Sequence, residues 1–158
     1  MMTPINLLEE LKKYIEEKTE NILLPVKQRK GERQADRPPN VYLMNTPTKE
    51  GETQQIPYII LKYLTGKDEE EETSQVAVRI IIAVYEEDAE AGAIGLLNVI
   101  SNIRYNLMKD RQLAKRFNLI LPMENIIYPD DTRPYYLGEI MTNWTIPPVR
   151  RELKEYGN

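Results

Sequence analysis

The chain has 158 residues and contains neither cysteine nor histidine, a length that suits one domain with its own hydrophobic core. Those two absences exclude a disulfide framework and thiolate catalysis. They also take the best ligands from a zinc site and remove the usual general base near neutral pH. The formal net charge of −4 gives no overall positive field for DNA or an anionic membrane, and no segment is long and apolar enough to predict a bilayer span.

Thr3 followed by Pro4 is a helix-start signal, a capping hydroxyl and then proline at the first helical position. Leu7, Leu8, Leu11, Tyr14 and Ile15 form one apolar stripe, and Glu9 and Lys13 stand at helical spacing on the other face, so a helix is predicted over about residues 4–20. The first ten residues carry acids where a signal peptide carries Lys or Arg, which predicts synthesis in the cytoplasm. Ile22, Leu23 and Leu24 make a short apolar patch that ends at Pro25. Residues 25–40 read as a basic loop or flexible arm, with Lys27, Arg29, Lys30, Arg33 and Arg37 beside Gly31 and the Pro38–Pro39 pair.

Residues 41–44 allow a short strand, and the polar stretch 46–55 reads as a loop. Residues 58–65 predict a strand apolar on both faces. The acidic stretch 66–74 predicts a turn, and the following strand sends Val76, Val78, Ile80, Ile82 and Val84 to one face. Two strands this close in sequence most simply pair antiparallel. A long helix follows over about residues 90–108, with Ile94, Leu97, Ile100, Ile103, Leu107 and Met108 as its apolar stripe and a short continuation through residues 113–117. Asp88 and Glu90 sit near its start and Arg104 and Lys109 toward its end, as the helix dipole favours.

Residues 119–128 predict a strand that Pro122 kinks or confines to an edge. Pro129-Asp130-Asp131-Thr132 is a turn, residues 135–146 are a last long strand stopped by Pro147 and Pro148, and residues 149–158 form a charged tail. The whole chain, 1–158, is expected to be a single α+β domain. Its mainly antiparallel sheet of four to five strands follows the order α-(β)-β-β-α-β-β, with the N-terminal helix and the long helix packed on one face.

Candidate chemistry is sparse. Asp68 to Glu72 are consecutive acids without the converging spacing of a calcium or magnesium site, and serve more simply as a solubility device beside a strand edge. Asp130 and Asp131 share a turn and lack the third acid that a two-metal site would add. The basic segment could bind phosphates or an acidic protein surface, but it has no interleaved aromatics on which bases would stack. Ten tyrosines against one phenylalanine and one tryptophan suit half-buried surfaces, either as ordinary sheet residues or as interface residues. Trp144 reads as a core residue or an interface anchor. No metal, cofactor or small-molecule substrate is expected.

Residues 56–64 with 76–88, then 93–117, then 135–152 carry a resemblance. Its most distinctive run is Tyr136-Leu137-Gly138-Glu139-Ile140 leading to Trp144-Thr145-Ile146-Pro147-Pro148. This C-terminal two-thirds resembles small tail-completion proteins of tailed bacteriophages and prophages, the tail terminator family, also called minor tail or head–tail joining proteins. The resemblance implies an α/β fold with a central sheet flanked by helices. It also implies a ring, usually a hexamer, that caps the tail tube, ends its polymerisation and offers a surface to the head connector. The expected partners are therefore further copies of the chain, the tail tube protein and the head connector or neck protein. The expected location is the host cytoplasm during assembly and then the virion. The N-terminal third departs from the family pattern, and the role of its basic segment is inferred from charge alone.

Interface candidates are Arg29, Lys30, Arg33, Tyr135, Tyr136 and Trp144. Competing readings are a head-completion or neck protein, a nucleic-acid-binding regulator that uses the basic segment, and a carboxylate enzyme.

Overall fold

The computed structural model describes residues 2–28, 34–47, 56–70 and 73–152. Helix α1 (Pro4–Thr19) begins at Thr3, whose hydroxyl accepts from the Asn6 backbone N–H while Asn6 Oδ1 accepts from the Thr3 backbone N–H at 2.8 Å. Two otherwise orphaned donors are satisfied reciprocally, with asparagine in the place that Glu or Gln usually takes. Leu7, Leu8, Leu11 and Ile15 are buried, as the stripe predicts.

The strands are β1 (Asn40–Leu43), β2 (Tyr58–Glu69), β3 (Thr73–Tyr85), β4 (Gln112–Leu113), β5 (Phe117–Ile127) and β6 (Tyr135–Ile146). They form one sheet in the order β1-β2-β3-β6-β5-β4. All neighbours are antiparallel except β1 and β2, which run parallel. The α+β class holds, with six strands where four to five are expected. The additional pairing comes from the two residues of β4, too short for a periodicity to register.

Helix α2 (Ala89–Asp110) is capped by Asp88, whose carboxylate accepts from the Ala91 N–H at 3.0 Å. Asp88→Ala is expected to cost about 1 kcal/mol of unfolding free energy, read from the midpoint of a urea titration. The helix packs on β3, β5 and β6, while α1 packs on β1, β2 and α2. Both helices share one face of the sheet, where Val76, Val78, Ile80, Ile82 and Val84 are all buried against them. Tyr14, on α1, donates a 2.6 Å hydrogen bond to Asp110 at the end of α2. Burial and this bond raise the phenol's pKa.

Three expectations need correction. The apolar stripe of α2 is not 94, 97, 100, 103: the buried residues are Gly92, Leu96, Val99, Ile100, Ile103 and Leu107, and Ile94 and Leu97 are exposed. Each three-residue step falls about 60° short of a full turn, so three such steps from Ile94 reach the opposite face of the helix at Ile103. The helix does not continue through residues 113–117. Arg111 takes a left-handed conformation (φ 62°) and its N–H caps the Leu107 carbonyl. Ala114 and Lys115, also at positive φ, then turn the chain so that Leu113 pairs with Phe117 across a tight hairpin. Finally, β2 and β3 run on to Glu69 and from Thr73, so Asp68 and Glu69 belong to the hairpin's strands and not to its turn. The expected disturbance at Pro122 is present as a register shift between Ile120 and Glu124.

Among the described residues no helix is long and apolar enough to cross a membrane.

Candidate interaction surface

Strand alternation gives the sheet a second face, and the described helices leave it uncovered. Paired positions share a face, so Tyr58 with Ala83, Ile60 with Ile81, and Ile81 with Glu139 all point away from the helices. Tyr42, beside Ile60 on β1, and Leu137 and Met141 on β6 extend this face, and all three are half-buried. At one end it closes into a small cluster in which Ile56, Ala83 and Tyr85 are buried and Tyr58, Tyr135 and Leu137 pack against them. The Tyr85 and Tyr135 rings lie 5.7 Å apart at 50°. Tyr85 also donates to Glu87, which pushes its pKa up to about 12.

Charge sits in the middle of this otherwise largely apolar face, where Lys62 on β2 is paired directly with Arg79 on β3. Arg79 on β3 grips Glu139 on β6 through Nε and through Nη2 at 2.7 Å, a two-pronged contact. Glu139 is only 6% exposed, while the Arg79 side chain is 33% exposed. The Arg79 hydrogen bonds hold the Glu139 carboxyl below the usual glutamate range, against the burial that would raise it. Tyr128 receives a 3.4 Å contact from Arg79 Nη2, and burial lifts its pKa. Nothing in the sequence pairs residues 79 and 139 across 60 positions; the only signal is a lone charge inside each of two apolar strands.

The three interface candidates among the described residues do not converge. Arg29, Lys30 and Arg33 lie outside the described residues. Tyr135 is on the uncovered face, and its hydroxyl accepts from Lys27 Nζ at 3.3 Å. Tyr136, its neighbour on the strand, necessarily points the other way: its ring lies against Gly92 of α2, where a Cβ could not fit. The Tyr136 hydroxyl is buried with no hydrogen-bond partner among the described residues. Trp144 shares the face of Tyr136 and is 0% exposed, so it is a core residue and not an interface anchor. Its Nε1 donates to Thr142 Oγ1 at 2.8 Å, and that hydroxyl donates to the Val78 carbonyl at 2.7 Å. Strand parity carries this signal: Tyr136, Gly138, Ile140, Thr142 and Trp144 are all even-numbered, and the last four pair with Ile82, Ile80, Val78 and Val76.

The flanks of the basic segment are tied to each other. Leu24 and Arg37 form a bridge through both backbone amides, and the Gln28 side chain bonds the backbone of Val26 and Gln34. Arg37 donates from Nη1 to the Pro38 and Pro57 carbonyls, so its charge is engaged by the fold. The segment is thereby rooted at the Tyr58 and Tyr135 end of the sheet. The acidic hairpin tip lies at the other end of β2, where Asp68 accepts from Ser74 at 2.7 Å and Glu69 pairs with Lys67 at 2.7 Å. Glu71 and Glu72 lie outside the described residues.

Asp131 is held by the Arg133 guanidinium through two 2.8 Å bonds, which bring its pKa down to about 2. That is the opposite of the shift a general acid needs. No three carboxylates among the described residues converge as metal ligands. A groove of about 590 Å³ between α1 and residues 37–40 is lined by Lys13, Glu16, Glu17, Glu20 and Arg37 and brings no nucleophile to a base.

No protein-family model matches the chain, and no curated protein matches it in sequence.

Proposed function

We propose that this protein is a non-enzymatic structural subunit of a tailed bacteriophage or prophage. In this reading it assembles as a ring, a hexamer in the form the resemblance suggests, that caps the tail tube, ends its growth and presents the joining surface for the head. The observation that carries the reading is the uncovered sheet face with its Tyr58, Ile60, Ile81, Leu137 and Met141 side chains, a surface suited to a protein partner. A closed ring also needs two different, mutually complementary surfaces on each subunit. Strand β5 supplies a second one: β4 covers only its first two residues, and Leu121, Ile126 and Ile127 are exposed along the remainder.

The test is light scattering of the purified protein alone and with tail tubes, with negative-stain images of both. Rings alone or on tube ends, and shorter tubes in their presence, are the expected result. Ile81→Glu should abolish ring formation while leaving the far-UV circular dichroism unchanged. A protein that stays monomeric in both settings, or that binds DNA or RNA with steep salt dependence, overturns the reading. Assembly intermediates separate the terminator from a neck protein: overlong tails accumulate without a terminator, whereas normal tails and unjoined heads accumulate without a neck protein.

A further inference from the structure

Helix α2 carries a second apolar stripe, opposite the one buried on the sheet. Ile94, Leu97 and Tyr105 are 59%, 48% and 63% exposed on a 22-residue helix. Together with Glu90, Ser101 and Arg104, they follow steps of four and three residues that keep one side of the helix facing one direction. No described part of the chain packs on this side. Gly95 beside it has nothing within 4 Å of where a Cβ would stand, so a partner can approach closely there.

We infer that this stripe is the docking site for the α2 helix of a second copy of this chain, packed antiparallel about a two-fold axis near residue 97. Charge decides both the occupant and the direction. The stripe begins acidic, at Glu90, and ends basic, at Arg104 with Lys109 beyond it. An antiparallel pair brings Glu90 of each helix alongside Arg104 of the other, twice, and sets the two helix dipoles in opposition. A parallel pair would stack like charge on like. In that register Leu97 of each copy meets its own counterpart at the axis, and Ile94 of each copy lies opposite the small Ser101 of the other. The contact is isologous, whereas ring contacts are head-to-tail, so this pairing stands or falls independently of the ring.

The test is sedimentation velocity of the full chain across a concentration series. A reversible dimer is expected for the native sequence or, where rings form, pairs of rings. Leu97→Glu should remove that step and leave the urea midpoint unchanged, because the residue is half exposed. Glu90→Arg and Arg104→Glu should each raise the dimer dissociation constant roughly tenfold, and the double swap should restore it. A native protein with no dimer or paired-ring step, a Leu97→Glu variant that keeps it, or a double swap without recovery overturns the inference. Rings retained by Ile81→Glu, or no rings from the native chain, with the dimer present would count against the ring reading alone.

Discussion

Trp144→Ala is expected to lower the unfolding free energy by about 3–5 kcal/mol, the range for truncating a large, fully buried aromatic. Trp144 is enclosed between β3, β5 and the helix layer, with Val76 and Leu119 as its lateral neighbours in the sheet. The deletion leaves a cavity that paired strands on both sides cannot easily close. It also removes the indole N–H from Thr142 Oγ1, although that hydroxyl keeps its bond to the Val78 carbonyl. Trp144→Phe fills part of the space and should cost less, about 1–2 kcal/mol. Because the chain has a single tryptophan, far-UV circular dichroism must report the urea transition in place of fluorescence. The slope of the transition should match that of the native chain.

Glu139→Ala should have the next largest effect, about 1–3 kcal/mol, by leaving the Arg79 guanidinium without its partner on an apolar face. The figure sits below that for a fully buried pair because the Arg79 side chain is one-third exposed and water can reach it. The pair also links stability to acid. The Glu139 carboxyl titrates lower in the folded chain than in the unfolded one. Its contribution is therefore complete above the ordinary glutamate range and disappears as the pH falls through the lower folded-state value. Arg79 stays charged throughout. The stability difference between the native chain and Glu139→Gln, measured in urea at neutral pH and at about pH 3, should shrink in acid.

The elements with a full repeat of their own period were legible in the sequence. The Val76 strand alternates through five buried positions, α1 has both a cap and a stripe, and the Tyr135–Ile146 strand is bounded by a turn and two prolines. What was not legible has physical causes. Apolar side chains on both sides of α2 make the repeat ambiguous, and reading by three-residue steps slides from the exposed side to the buried one. Ala114 and Lys115 hold left-handed conformations that Asn or Gly usually signals, so their hairpin leaves no trace in composition. The parallel pairing of β1 depends on register with a strand fifteen residues away and not on its own four residues. Among the surface candidates, aromatic type alone does not decide exposure: Tyr135, Tyr136 and Trp144 differ in facing, and facing follows from strand parity. The Arg79–Glu139 pair came to light only with the strand order.

The sheet order has a consequence for how the chain comes off the ribosome. Strand β6 is the last of the described strands to be synthesised, yet it lies between β3 and β5 and pairs with β3 along twelve positions. Until it emerges, β3 presents an unpaired edge rich in valine and isoleucine, and α2 lacks the strand it contacts most. Completed early parts cannot settle first. The nascent protein carries its most adhesive edge unprotected until residue 146 has cleared the exit tunnel, and a chain terminated before residue 135 carries it permanently.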